Sequence, residues 1–175
     1  MSWSKLFLDI EFQKAGKILG ESEYAGFEKQ IVLLDFDWDM KIDQQVKNGA
    51  TVKRTVKMNP IKLSKRFDAA SISLLNCLRS RDPIVSGRIT VAHRVGDGGT
   101  TRKAFVLEFK KARLESVDLD MTAEGKSMIL QEDIEIRYTQ MKIEVYKRNL
   151  DGSYVSTASN FSPSARNNLD MVQEG

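Results

Sequence analysis

Three aspartates at two-residue spacing, Asp35, Asp37 and Asp39, open like a calcium-binding loop, where alternate carboxylates converge on one cation. Such a loop needs glycine next and glutamate at its end, and the chain has Met40 and Val46 there. Alternation with Phe36 and Trp38 instead makes these carboxylates the wet face of a strand. Cys77 and His93 are the only cysteine and histidine, and a thiol needs a neighbouring base before it attacks anything. No basic residue adjoins Cys77 in sequence, and whether His93 meets it depends on the fold. His93 shares parity with Ile89, Val91 and Val95, the pattern of a satisfied core or interface histidine. Gly96-Asp97-Gly98-Gly99 lacks the Lys-Ser/Thr of a phosphate loop and reads as a hairpin turn. Lys53, Arg54, Lys57, Lys62, Lys65 and Arg66 follow one another without an acidic residue, as a nucleic-acid patch would. The aromatics that would stack on bases are missing, and Phe67, the one nearby, reads as buried beside a helix. The stretch therefore reads as a solvated or interface-facing strand pair. No nucleophile–base pair, metal set or cofactor loop emerges, so neither an enzyme nor a cofactor is expected.

Composition narrows the class further. At 175 residues and 41% hydrophobic content the chain is long enough for one core and short for two. Its 27 basic and 24 acidic residues leave a formal charge of +3, too even to imply nucleic acid or an anionic membrane. One cysteine allows no intrachain disulfide. No apolar run approaches the roughly 20 residues of a membrane-spanning helix, so no stable membrane insertion is expected. Met1-Ser2-Trp3-Ser4-Lys5 lacks the basic start and apolar core of a signal peptide. Folding in the cytosol is the expectation, with any exit by another route.

The elements that must position these residues are mostly strands. Lys5–Phe12 alternates with Leu6, Leu8, Ile10 and Phe12 on one face, and a long polar loop, Gln13–Lys29, follows. Gln30–Ile42 reads as one strand with Val32, Leu34, Phe36, Trp38, Met40 and Ile42 facing the core. Thr51–Met58 and Ile61–Phe67 flank Pro60. Asp68 caps a helix reaching about Ser80, whose Ile72, Leu74, Leu75 and Leu78 recur at helical spacing. Ile84–Val95, Arg102–Asp120 and Leu130–Lys147 complete the strands. Apolar parity shifts within each of the last two, at Ala112 and again at Val117 in one and at Met141 in the other. Such shifts mark β-bulges, which bend a strand. An unbent strand of about 18 residues would span about 60 Å. The expected fold is therefore mainly β: a small antiparallel β-barrel with bulged long strands and one flanking α-helix. The domain is expected over residues 1–152, with a polar, partly mobile tail over 153–175.

In this order the segments resemble the Hcp family, the tube proteins of bacterial type VI secretion. The resemblance covers about residues 5–152. It rests on Phe7-Leu8-Asp9-Ile10, Ile18-Leu19-Gly20-Glu21-Ser22 and Ile31 to Trp38, then Leu63-Ser64-Lys65-Arg66-Phe67-Asp68 entering the helix, and the two long final strands. It departs where Asp68-Ala69-Ala70-Ser71 replaces a common Ser/Thr-Pro, and where Lys147-Arg148-Asn149 replaces a common Pro-Gln. The resemblance implies six protomers in a ring, rings stacked as a tube, and a contractile sheath that expels the tube behind a spike. It also implies secretion to the extracellular space or a target cell, and effector cargo in the lumen. Gly20, Glu21 and Ser22 would anchor the Gln13–Lys29 loop where it reaches a neighbouring protomer or ring. Asp35 and Asp37 are expected to meet Arg54 and Lys57 across an assembly contact. A phage-type tail-tube protein is the near alternative, and a β-barrel nucleic-acid-binding module is the alternative from another class.

Overall fold

The computed structural model describes residues 3–94, 101–151 and 153–161. In chain order the elements are β1 (Trp3–Phe12), β2 (Gly16–Lys17), β3 (Ile31–Leu33), β4 (Asp35–Asp37), β5 (Met40–Lys47) and β6 (Ala50–Met58). They continue with β7 (Ile61–Arg66), α1 (Ala69–Ser80), β8 (Ile84–Arg94), β9 (Arg102–Glu124), β10 (Ser127–Arg137), β11 (Gln140–Arg148) and β12 (Tyr154–Phe161). The Gly96–Gly99 turn expected from the sequence lies outside the described residues, as does Gly152. The sheet continues past residue 152, because β12 pairs with β11.

β9 organises the molecule. Up to Ala112 it lies between β8 and β11; from Arg113 onward it pairs with β10, which in turn pairs with β7 and then β4. The change of partners falls at Lys111, whose φ of 49° is left-handed and uncommon for a side chain with a Cβ. The Thr139 hydroxyl donates to the Lys111 carbonyl at 2.7 Å and steadies this bend. A second irregularity leaves Glu115 outside the ladder, between the pairs Leu114–Ile136 and Ser116–Glu135. Both positions coincide with the parity shifts of the sequence, so the expected bulged strand is present.

The second long strand is not continuous. β10 and β11 both run along β9, but the chain breaks at Tyr138–Thr139, and the parity shift marks that break instead of a bulge. The expected Gln30–Ile42 strand also divides. Ile31 and Leu33 are buried against β1, Leu34 is exposed, and the Leu34 amide then bonds the Ser64 carbonyl of β7. Residues 31–34 are all apolar, so alternation alone could not say which pair faced the core. Met40 and Ile42 are exposed because β5 leaves the main sheet for a separate hairpin with β6.

The barrel is not a closed ring of ladders. The main sheet runs β2-β1-β8-β9-β10-β7-β4, with β3 also on β1. Its two margins are bridged by the chain itself, which bends from β3 on β1 to β4 on β7. Leu8, Ile10, Ile31, Leu63, Ile89, Leu107, Phe109, Ile134 and Ile136 fill the interior. α1 covers that core with Ala70, Leu74 and Cys77, while Ile72, expected on the inner face, is 56% exposed. Its capping is complete: Asp68 accepts from the Ala70 amide at 3.0 Å, and the Ser71 hydroxyl accepts from the Asp68 amide. Arg81, in the left-handed conformation, ends the helix. Burying a leucine such as Leu74 contributes about 2 kcal/mol to holding the helix on the sheet.

Candidate assembly interface

The Gln13–Lys29 loop is not a free arm. Phe27 stacks on Phe7 with ring centroids 4.3 Å apart, and with Ala92, Trp3, Tyr24 and Val32 it forms a second apolar cluster. Ile18 is buried in the main core. The amide of Gly20 donates to the Lys29 carbonyl at 2.8 Å, the Lys29 amide donates to the Ser22 carbonyl, and the Ser22 amide donates to the Gln30 carbonyl. A Cβ on Gly20 would lie 2.4 Å from the Gln30 carbonyl oxygen, so the close approach requires glycine there. Ser22 is buried. Glu21 accepts from the Ala69 amide at 3.1 Å, placing its carboxylate at the positive end of α1. The three expected residues thus fix the loop to its own helix and strand. The signal the periodicity missed was the aromatic trio Phe7, Tyr24 and Phe27, which needs a second cluster to bury it.

Asp35 and Asp37 lie on β4, and the ladder extends their row across the sheet. Asp35 is opposite Ser64, Ser64 opposite Asp133, and Asp133 opposite Asp118. The next row carries Asp37, Lys62 and Glu135. Ser64 and Gln131 donate to Asp133 at 2.6 and 3.0 Å, but Asp118 and Asp133 remain like charges directly opposite, which is unfavourable. This outer face is therefore strongly acidic.

Arg54 and Lys57 stand elsewhere, on the β5–β6 hairpin, every residue of which is at least partly exposed. Lys57 is opposite Lys41, a second like-charge pair, and Arg54 is opposite Gln44. No ion pair joins Asp35 or Asp37 to Arg54 or Lys57 within the protomer, and on the acidic face Lys62 lies 3.9 Å from Glu135. The hairpin also exposes Met40, Ile42, Val46 and Val52.

One member of the basic stretch and the aromatic beside it depart from their expected places. Lys65 does not face solvent: it is wholly buried, with Nζ 2.7 Å from Asp68, 2.9 Å from the Ser71 hydroxyl and 2.5 Å from Glu132. Phe67, expected to be buried, is 37% exposed. The Lys65 finding divides the supposed nucleic-acid patch. His93 is half-buried and bonds the Ser4 hydroxyl at 2.5 Å. Burial, with the Asp82 charge second, pushes the Cys77 thiol up, the reverse of nucleophile activation. Among the described residues no cluster of His, Cys, Asp or Glu could hold a metal ion, and no helix is long and apolar enough to cross a membrane.

Solved structures share this architecture. The chain is similar to an Hcp1 mutant from E. coli EAEC 042, with 15% identity, 92% of this chain and 98% of that chain covered, and a TM-score of 0.71. It is similar to Hcp1 from Salmonella typhimurium (17% identity, 94% and 97% covered, TM-score 0.66). Secreted Hcp3 from Pseudomonas aeruginosa gives 18%, 93% and 98%, and 0.64. The antiparallel sheet with the one helix of the described residues is thus the Hcp fold. The chain belongs to the family described as type VI secretion system effector, Hcp, whose model matches residues 7–145. It is a family of structural tube proteins, not of enzymes. A search of curated protein sequences gave no match.

Proposed function

We propose that the chain is the ring-forming subunit of a type VI secretion tube. Six copies close head to tail, rings stack, and a contractile sheath expels the stack behind a spike with small effectors in its lumen. One observation carries the assembly reading: the acidic face around Asp35, Asp133 and Asp118 and the basic hairpin around Lys41, Arg54 and Lys57 are unpaired within one protomer. Two different surfaces of opposite sign suit a heterologous contact that closes as a ring. Residues Gly20, Glu21 and Ser22 support that contact indirectly, by fixing the loop and the start of α1.

Charge reversal tests this pairing. Arg54→Glu with Lys57→Glu should shift the protein from rings toward monomers in sedimentation velocity, and Asp35→Lys with Asp118→Lys should do the same. Mixing the two variants should restore rings, because each then meets a complementary partner. Unchanged rings in both single variants would contradict the pairing.

A further inference from the structure

At the bend of β9 the surface opens into a groove of about 900 Å³, within the range of sites that hold small molecules and short peptides. Met58, Pro60, Pro83 and Val85 give it apolar walls, and Arg81, Lys110, Lys111, Arg113 and Arg137 surround them. No acidic residue lines it. The nearest compensation is thin. Arg113 and Arg137 share one carboxylate, Glu115, at 2.9 and 3.2 Å. Asp39 bonds the Asn59 side-chain amide at 2.6 Å on the rim. Arg81, Lys110 and Lys111 form no ion pair with any described residue.

Two of these cations sit on left-handed backbone. Arg81 and Lys111 have φ of 55° and 49°, the first at the helix C-terminus and the second at the strand bend. The polar centre of the groove is already committed: Tyr138 accepts from the Trp38 indole N–H at 2.6 Å and donates to the Asn59 carbonyl at 3.0 Å. Tyr138 is the one aromatic among the lining residues, so the groove lacks the series of aromatics on which successive bases stack. The chain's own acidic face is spread over four paired strands, β9, β10, β7 and β4, and is not an extended segment that could lie in a groove.

We propose that this groove binds an extended acidic segment of another protein, with carboxylates against Arg81, Lys110 and Lys111 and apolar side chains against Pro60 and Val85. The site goes beyond tube assembly, since it needs neither the hairpin nor the acidic face. Carboxylates between apolar residues match cations around an apolar floor, and the attraction is electrostatic enough to depend on salt.

The test uses a fluorescein-labelled peptide of alternating aspartate and leucine and the full chain, read by fluorescence polarisation. The neutralised variant is Arg81→Asn, Lys110→Gln, Lys111→Asn. Asparagine tolerates the left-handed conformation at both positions, so the backbone is not strained. Binding to the unaltered chain that weakens with salt, and about tenfold weaker binding to the variant, is the expected result. A lysine–leucine peptide should not bind. Equal binding to the variant overturns the proposal. So does displacement of the peptide by oligothymidylate at lower concentration than by unlabelled peptide. So does loss of rings in the variant, which would assign the groove to a second copy of this chain. Ring formation by the unaltered chain is measured separately, so a failed groove leaves the assembly reading standing.

Discussion

The ammonium of Lys65 lies 2.5 Å from Oε2 of Glu132, and neither side chain has any exposed surface. The pair joins β7 to β10, and through Asp68 and the Ser71 hydroxyl it reaches the first turn of α1. The second oxygen of Glu132 has no hydrogen-bond partner. A buried ion pair adds little net stability because both charges lose their water, yet losing one partner strands the other. The cluster therefore fixes where the helix sits more than it strengthens the fold.

Lys65→Met should cost about 3–5 kcal/mol in urea unfolding, since Glu132 is left charged and unpaired. Lys65→Met with Glu132→Leu should recover most of that loss. A single variant as stable as the unaltered chain would show that the pair is not buried as described.

Gly20→Ala should destabilise the loop that carries Glu21 and Ser22, because its Cβ meets backbone at Gln30 and Ile31 and not a movable side chain. The expected cost is about 1–3 kcal/mol, with faster amide exchange over residues 20–30. Removing the whole loop is a poorer experiment, since Ile18 and Phe27 belong to the two apolar clusters. Unchanged stability and exchange would refute the close approach.

Cys77 should stay unmodified by a disulfide reagent at pH 8 in the native protein and react fully in guanidinium. Burial first, and then Asp82, raise its thiol pKa, and both disfavour the thiolate. Rapid native labelling would contradict this packing.

Much of this architecture was legible in the chain. The helix was readable because Asp68 and the spacing of Leu74, Leu75 and Leu78 agree. Both irregularities of β9 were readable because Ala112 and Val117 break parity. What escaped was any feature set by partners distant in sequence. Residues 31–34 are apolar on both faces: Ile31 and Leu33 serve the barrel core, Val32 packs on the Phe7–Phe27 cluster, and Leu34 is exposed. The hairpin from Met40 to Met58 alternates like a core strand while facing solvent, the pattern of a surface awaiting a partner. Lys65 looked like its basic neighbours, and only the register Lys65–Glu132 shows that it faces inward. Of the residues expected at an assembly contact, Asp35 and Asp37 gave half of the acidic face; Asp118 and Asp133 joined them only through strand pairing.

Glu115 gives a pH signature. The hydrogen bond from Arg113 is the main cause that lowers its pKa from the ordinary 4.5, partly opposed by desolvation and helped by the Arg137 charge. A carboxyl whose folded pKa is lowered contributes stability above its unfolded value and loses it as pH falls through the folded one. The unaltered chain should therefore exceed Glu115→Gln in stability near neutrality, with the gap closing from about pH 5 downward. The group is largely exposed, so the gap should be small and salt-sensitive. A gap that widens in acid would reverse the assignment.

Negative-stain electron microscopy of the purified, unaltered chain tests tube-subunit function most directly. Six-membered rings, some stacked end to end, are the expected result. A field of monodisperse monomers at the same concentration would contradict it.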